Sequence, residues 1–158
     1  MTAAGERCIA VTVASALYGL PVDEVQEVIG MRPLTRVFHA PEAIAGVTNL
    51  RGDVLPVLDL GLLLGGPPRL EGAAEARIVV VRERGGARRH AGLCVAALRG
   101  LREYPATGLD PVPVTLPETA RAFVLGIIPS PPPCAVLSVA ALLDAPVLAT
   151  LATPEARA

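Results

Sequence analysis

Short apolar runs with a two-residue period, separated by prolines and glycines, restrict this fold more than any other feature. In residues 8–14, Ile9, Val11 and Val13 share one face, which predicts a half-buried strand. Residues 77–83 and 91–98 predict two more strands, and residues 122–128 and 134–139 predict another pair. Between these runs the chain distributes 16 prolines and 15 glycines, and it lacks a regular strand–helix alternation. The pattern predicts an all-β barrel or sandwich.

Two details refine this prediction. Pro56 interrupts the apolar run 54–60, and because proline cannot donate a backbone hydrogen bond, that strand is expected at a sheet edge or at a kink. Pro21 opens the segment 21–28, which predicts a single helical turn with Val22 and Val25 on one side. Residues 65–76 are rich in glycine and proline and are the best linker candidate.

A weak internal repeat predicts two similar β units. Residues 18–25, the segment around Gly46, and residues 57–65 are echoed in the same order by residues 91–98, the segment around Gly126, and residues 136–144. The offsets of 73, 80 and 79 positions are nearly constant. Each unit would be too small to bury a good core alone, so the two are expected to share an interface.

Composition excludes several classes of function. A net charge of -1 and an aromatic content of 3% give neither a basic surface nor stacking platforms for nucleic acid. The three cysteines lie far apart in sequence, which predicts neither a disulfide framework nor a zinc site and favours a reducing cytoplasm. The N-terminal segment lacks the features of a signal peptide. The apolar stretch 134–152 is interrupted by Asp144 and Pro146, so it predicts a buried strand and a short helix, without membrane insertion.

Residues for catalysis are sparse. His39 and His90 could serve as acid–base groups, but no carboxylate or thiol stands at a recognisable spacing, so solvated side chains are the simpler interpretation. Cys94 alternates with apolar neighbours and predicts a buried, inert thiol. No nucleophile elbow, phosphate-binding loop or metal-binding helix is present, so we expect no catalytic residues, no cofactor and no metal. The sequence alone predicts a module that works by offering surfaces to partners.

The stretch from Tyr18 to Gly65 contains the segment GVTNLRGDVLPVLDL, in which Arg-Gly-Asp could be a cell-adhesion ligand or a plain hairpin turn. Without an export signal, the adhesion interpretation is disfavoured. The stretch also contains, in this order, Glu27, Pro41, Gly46, Val47, Asn49, Leu50, Arg51, Gly52, Pro56, Asp59 and Leu60. In these residues it resembles the first half of a CheW-type chemotaxis coupling protein. A looser match continues through residues 91–104 and 124–143, so the resemblance covers residues 8–143.

The resemblance implies a single CheW-like domain over residues 1–158. Its fold would be two SH3-like, five-stranded β-barrels packed around a shared apolar core, with short helical turns. Approximate subdomain boundaries would be 17–65 plus C-terminal elements for the first barrel and 77–143 for the second.

The resemblance also implies an adaptor that couples the signalling tips of methyl-accepting chemoreceptors to the regulatory domain of a CheA-type histidine kinase. Such a protein has no catalysis of its own, is monomeric in isolation, and joins signalling arrays at membrane-bound receptor clusters while remaining cytoplasmic. The alternative is a divergent CheW-like module that binds the kinase or another regulator without normal receptor coupling.

Site residues follow from the same resemblance. A salt bridge is predicted between Glu27 and Arg51, and Gly46 is expected to permit either close backbone approach or a strand bulge. Two departures concern the second barrel: Ala96 replaces a frequent carboxylate, and residues 129–133 replace a short hairpin turn. The residues expected to bind or couple to partners are Val25, Glu27, Gly46, Asn49, Arg51, Val95 and Leu98.

Overall fold

Ten strands and three short helices make up the regular structure of the described chain. The computed structural model describes residues 5–13, 15–66, 74–84, 89–105, 107–146 and 148. A 3-10 turn at Val22–Glu24 confirms the single turn predicted after Pro21. The strands are β1 Gly5–Val13, β2 Ala16–Pro21, β3 Val25–Gly30, β4 Ile44–Leu50, β5 Asp53–Asp59, β6 Arg77–Arg82, β7 His90–Val95, β8 Ala97–Pro105, β9 Val124–Ile128 and β10 Cys134–Leu137, and the helices are α1 Leu60–Leu63, α2 Glu118–Arg121 and α3 Val139–Leu143.

The strands form two five-stranded sheets of matching topology. Sheet A has the order β8-β1-β2-β10-β9, and sheet B has the order β3-β6-β7-β5-β4. Each sheet contains one parallel pair, β2 with β10 in sheet A and β5 with β7 in sheet B, and its other pairs are antiparallel. The predicted all-β class with two five-stranded units is therefore confirmed.

Each sheet takes strands from both halves of the chain. Sheet A combines β1 and β2 with β8, β9 and β10, whereas sheet B combines β3, β4 and β5 with β6 and β7. The first half of the chain thus contributes the hairpin β1–β2 to sheet A, and the second half contributes the hairpin β6–β7 to sheet B. As a result, each of the ranges 17–65 and 77–143 contains strands of both sheets. Those subdomain boundaries stay a prediction.

The sequence repeat appears in the structure as two strand–helix units. The echoed segments 57–65 and 136–144 contain the end of β5 with α1 and the end of β10 with α3. At equivalent positions the Asp59 carboxylate accepts a hydrogen bond from the Leu62 amide at 3.2 Å, and the Ser138 hydroxyl accepts one from the Ala141 amide at 3.1 Å. Side-chain oxygens at these positions begin each helix by satisfying an amide without an intrahelical partner.

One apolar core lies between the two sheets. It contains buried residues from sheet A, such as Val11 and Leu137, together with residues from sheet B, such as Val79 and Leu93. Leu142 of α3 completes it. This shared core is the one that the resemblance implied.

Each sheet also covers a smaller core of its own on its other face. In sheet A this core includes Cys8 and Val136, and in sheet B it includes Ile78 and Val80. The strand predicted over residues 8–14 is confirmed as part of β1, and Ile9, Val11 and Val13 do face the shared core. The expectation that only one of its faces is buried was wrong, because Cys8 and Ala10 are buried on the other face. Burial on both faces explains why these strands are continuously apolar.

Three further expectations have different outcomes. Strand β5 does not lie at an edge: Pro56 pairs with Val47 of β4, and pairing of β5 with β7 begins only at Val57, so the missing amide breaks no ladder. Most of the linker candidate 65–76 lies outside the described residues. Within the described part, the stretch after Cys134 forms β10 and α3 as predicted, and no helix is long and apolar enough to cross a membrane.

Candidate docking site

A two-residue turn joins β4 to β5. Leu50 pairs with Asp53, so the turn consists of Arg51 and Gly52, whose φ angles are 52° and 92°. Two consecutive positive φ angles are typical of the type I′ hairpin turn, which follows the twist of the flanking strands. The Asn49 Oδ1 accepts a hydrogen bond from the Gly52 amide at 3.0 Å, so this side chain stabilises the turn from within.

An ion pair ties this turn to β3. The Arg51 Nη2 donates to Glu27 Oε1 at 2.8 Å, and Nη1 donates to Glu27 Oε2, so the contact is bidentate. The hydrogen bond from Arg51 is the main cause that lowers the pKa of Glu27, and the same bond raises the pKa of Arg51. The predicted salt bridge is confirmed. Because the side chain of Arg51 is 68% exposed and that of Glu27 is 22% exposed, water screens the pair and its contribution to stability is small.

The ion pair connects the two terminal strands of sheet B. Glu27 belongs to β3, and Arg51 follows β4, which lies at the opposite end of the strand order. Arg32, just beyond β3, adds a second contact through its Nη1, which lies 3.4 Å from the carbonyl oxygen of Asn49. Arg51 adopts a left-handed backbone conformation that only a few per cent of non-glycine residues adopt. Its ion pair directs the charged side chain of the turn toward β3.

Sheet A has an equivalent link between its terminal strands, but here the arginine lies on a strand and its acceptors lie in the connection. Arg102 lies in the terminal strand β8, and its Nη2 and Nη1 donate to the carbonyl oxygens of Ser130 and Pro132, both at 2.9 Å. These carbonyls belong to the proline-rich connection between the other terminal strand, β9, and β10. The cation sits on the turn in sheet B and on the strand in sheet A. The prolines of this connection are evident in the sequence, but nothing in the local pattern identifies Arg102 as the residue that contacts them.

Gly46 shows both of the features expected of it. The pairing of β4 with β5 shifts by one residue between Ile44 and Gly46, which is the signature of a bulge. Its φ angle is 152°, and a Cβ atom at this position would lie 2.7 Å from the Thr35 carbonyl oxygen and 2.8 Å from the Leu34 Cβ. Gly46 is buried, so its visible role is to let residues 34–35 pack against β4.

The remaining candidate residues lie deeper than the turn. Val25 is half-buried at the start of β3, and Leu98 is half-buried in β8; both pack against the shared core. Val95 is only 1% exposed, so its side chain contacts this chain rather than solvent. Ala96 separates β7 from β8, and its amide donates to the Thr12 carbonyl oxygen at 2.9 Å. Glu27, Asn49 and Arg51 are therefore the members of the predicted set that meet at one place on the surface.

Two cysteines that are distant in sequence become neighbours in the core of sheet A. Cys8 and Cys134 are both fully buried free thiols that hydrogen-bond to each other, beside Gly19 of the strand between them. The hydrogen bond to Cys8 and burial raise the pKa of Cys134, so its thiol stays protonated. Among the described residues no cluster of His, Cys, Asp and Glu could hold a metal ion.

The structure thus consists of two five-stranded sheets around one shared core, with an ion-paired hairpin at the surface. Comparison with known proteins identifies the family to which this architecture belongs. The model of the CheW-like domain matches residues 7–147. The chain therefore belongs to the CheW-like family.

Individual relatives agree with this assignment. The chain is 32% identical over 120 residues to a probable chemotaxis protein CheW of Rhizobium etli, covering 76% of this chain and 75% of the relative. It is 33% identical over 111 residues to the protein FrzA of Myxococcus xanthus, covering 70% and 66%. The crystal structure of the scaffolding protein TtCheW from Thermoanaerobacter tengcongensis matches with a TM-score of 0.74 and 29% identity, covering 85% of this chain and 90% of that one.

Proposed function

We propose that this protein is a chemosensory adaptor that couples methyl-accepting receptors to a CheA-type histidine kinase. It would act by binding alone, without catalysis, cofactor or metal, and would be a cytoplasmic protein recruited to receptor clusters at the membrane. The observation that carries the proposal is the Glu27–Arg51 pair, which holds an exposed turn in a fixed orientation in a chain that belongs to the CheW-like family.

The chemistry of the turn suits a positioning role. Both terminal nitrogens of Arg51 are engaged by Glu27, and Asn49 holds the backbone of the turn from the other side. A surface whose conformation is already fixed loses less entropy on binding a partner. In this proposal Glu27 and Arg51 set the orientation of the hairpin, while Gly46 and Val25 support it from below.

Two connections that flank sheet A support one alternative. Ala96, between β7 and β8, offers no carboxylate, and residues 129–133, between β9 and β10, form an uncharged turn that Arg102 contacts. A partner that depends on charge at these connections would bind less well to this surface. The alternative function is therefore a divergent regulatory module that binds the kinase or another regulator without normal receptor coupling.

Binding experiments with two purified partners separate these functions. The probes are the regulatory domain of a CheA-type kinase and a receptor fragment containing the signalling tip, each titrated with this protein by calorimetry. Binding to both supports the adaptor; binding to the kinase domain alone supports the divergent module; and binding to neither refutes the adaptor and any divergent module that acts through the kinase.

The role of the ion pair needs a matched control. Arg51→Ala should weaken partner binding while leaving the urea unfolding curve unchanged. Arg99→Ala is the control, because Arg99 is also an exposed, ion-paired arginine, with its side chain 49% exposed and its Nη2 3.8 Å from Glu75. Equal affinities for both variants would show that the Arg51 turn does not take part.

A further inference from the structure

Two fully buried thiols converge on one point in the small core of sheet A. Cys8 lies in β1 and Cys134 begins β10, and these two strands flank β2. A Cβ atom built on Gly19 of β2 would lie 2.5 Å from the Cys8 Sγ and 3.2 Å from the Cys134 Sγ. Both sulfurs therefore lean over the glycine, where they hydrogen-bond to each other. Two sulfurs from opposite halves of the chain thus face each other in an apolar interior.

The spacing of the strands does not suit a disulfide bond between these thiols. Neighbouring strands lie about 4.8 Å apart, so β1 and β10, with β2 between them, are separated by about 10 Å. The Cα atoms of a disulfide lie at most about 7 Å apart. A direct bond would therefore require the strands to move. An ion between the sulfurs would leave the strands in place, because a metal–thiolate bond is about 2.3 Å long and a linear sulfur–metal–sulfur unit spans about 4.6 Å.

The charge beside the thiols suits an anionic complex. Arg102 of β8 is paired directly with Cys8 of β1, so their side chains lie on the same face of sheet A. Its guanidinium donates to the carbonyl oxygens of Ser130 and Pro132, in the connection that ends at Cys134. The hydrogen bond between the thiols is the main cause that lowers the pKa of Cys8 and raises that of Cys134, and the charge of Arg102 favours the thiolate form of both. Arg102 is therefore both a counter-charge and a cover for the thiol pair.

Two thiolates select a soft ion that needs few ligands. Thiolate sulfur prefers Cu(I) and zinc to hard cations, but a structural zinc ion takes four ligands in a tetrahedron. Among the described residues, a cluster of three or more His, Cys, Asp and Glu side chains, from which zinc could take them, is absent. Cu(I) needs only two, because thiolates hold it in linear, two-coordinate sites. Such a complex carries one net negative charge, and a buried charge is stable only with a partner, which the guanidinium of Arg102 supplies.

We propose that Cys8 and Cys134 bind a single Cu(I) ion between them, with Arg102 closing the site. The ion forms one bond to each sulfur, each thiol releases its proton to water, and the copper keeps its oxidation state. The bound ion ties β1 to β10 across β2. Because the thiols lie on the face of sheet A that is turned away from the shared core, the ion enters past Arg102. The proposal does not depend on the adaptor function, which needs no metal.

A competition titration tests this binding. The reduced protein is mixed under anaerobic conditions with the coloured Cu(I) complex of bicinchoninate, whose loss of absorbance measures the copper that the protein takes up. The wild type should take up one equivalent. Cys8→Ala and Cys134→Ala each remove a ligand, so each should lose more than the roughly 10- to 100-fold in affinity that loss of an outer contact costs a metal site. Cys94→Ala is the matched control and should bind like the wild type, because Cys94 is also a buried thiol, 1% exposed, but lies in the core of sheet B.

Two further measurements test the counter-charge and the ligand set. Arg102→Ala should weaken Cu(I) binding by about 10- to 100-fold, and Arg102→Lys, which keeps the charge, should recover most of the affinity. Arg99→Ala is the control, because Arg99 lies in the same strand but contacts Thr12. X-ray absorption of the wild-type complex should show two sulfur neighbours of copper and no nitrogen.

Several results would overturn the proposal. They are a wild type that leaves the copper on the chelator, a Cys94→Ala variant that loses as much affinity as Cys8→Ala, an absorption spectrum with a nitrogen or a third sulfur neighbour, and an Arg102→Ala variant that binds like Arg99→Ala. Because the absorption spectrum is measured on the wild type, it decides the ligand set even if a cysteine variant fails to fold.

Discussion

Replacing Gly46 of β4 with alanine should destabilise the fold more than the same replacement at Gly52, in the turn that follows β4. The new Cβ would lie 2.7 Å from the Thr35 carbonyl oxygen, at a φ angle of 152° that residues with a side chain rarely adopt. The backbone strain costs about 1–3 kcal/mol, and the steric overlap adds about 1–3 kcal/mol because backbone atoms must move. Movement of Thr35 would also disturb its two hydrogen bonds to Val47. The expected loss is about 2–6 kcal/mol in the free energy of unfolding.

Urea unfolding measures this loss, and Gly52→Ala separates its two causes. Gly52 has a φ angle of 92°, but a Cβ there meets nothing within 4 Å, so this variant carries strain without overlap. A loss near 4 kcal/mol lowers the midpoint by about 2 M urea. Replacing glycine with alanine also lowers the conformational entropy of the unfolded chain. This effect is the same in both variants, so it cancels when they are compared. If Gly46→Ala were no less stable than Gly52→Ala, the close approach of Thr35 would not be the reason for glycine.

Three other substitutions test the packing and the charges. Gly19→Ala would place a Cβ 2.5 Å from the Cys8 Sγ; it should cost about 1–3 kcal/mol by urea unfolding and less in a Cys8→Ala background, and an equal cost in both would be inconsistent with this contact. Burial is the main cause that raises the pKa of Tyr104 to about 12. The tyrosinate absorbance that the wild type shows and Tyr104→Phe lacks should therefore appear only near that pH. Because the pKa of tyrosine is about 10 in the unfolded chain, ionisation of Tyr104 should lower the free energy of unfolding as the pH rises above about 10. A folded protein in which Tyr104 titrates near pH 10 would contradict this. Arg102→Ala should lower the NMR order parameter of the Ser130 amide, and an unchanged value would mean that the guanidinium does not hold the turn.

The strands were predictable because their periodicity is local. Alternation in residues 8–14 and the apolar run 77–83 identified β1 and β6 without reference to the rest of the chain. The number of buried faces was not predictable in this way. A second buried face at Cys8 depends on the small core that sheet A builds with strands from the other half of the chain.

The candidate site was predictable only in part. The Glu27–Arg51 pair followed from a family resemblance, since 24 residues separate its members and nothing local requires the contact. The hydrogen bond from the Gly52 amide to Asn49 Oδ1 and the hydrogen bond from Arg102 to the Ser130 carbonyl oxygen depend on side-chain geometry, which sequence spacing does not encode. The Cys8–Cys134 contact likewise depends on the fold, because sheet A places β1 and β10 on either side of the same strand, β2.

The central claim is that Glu27 and Arg51 orient a docking surface through their mutual contact. A charge-swap cycle tests it most directly: Glu27→Arg, Arg51→Glu and the double variant are titrated with the regulatory domain of a CheA-type kinase by calorimetry. Each single variant places like charges together and should weaken binding, whereas the double variant restores an ion pair and should recover most of the affinity. Single variants that bind like the wild type, or a double variant as weak as the singles, would contradict the claim.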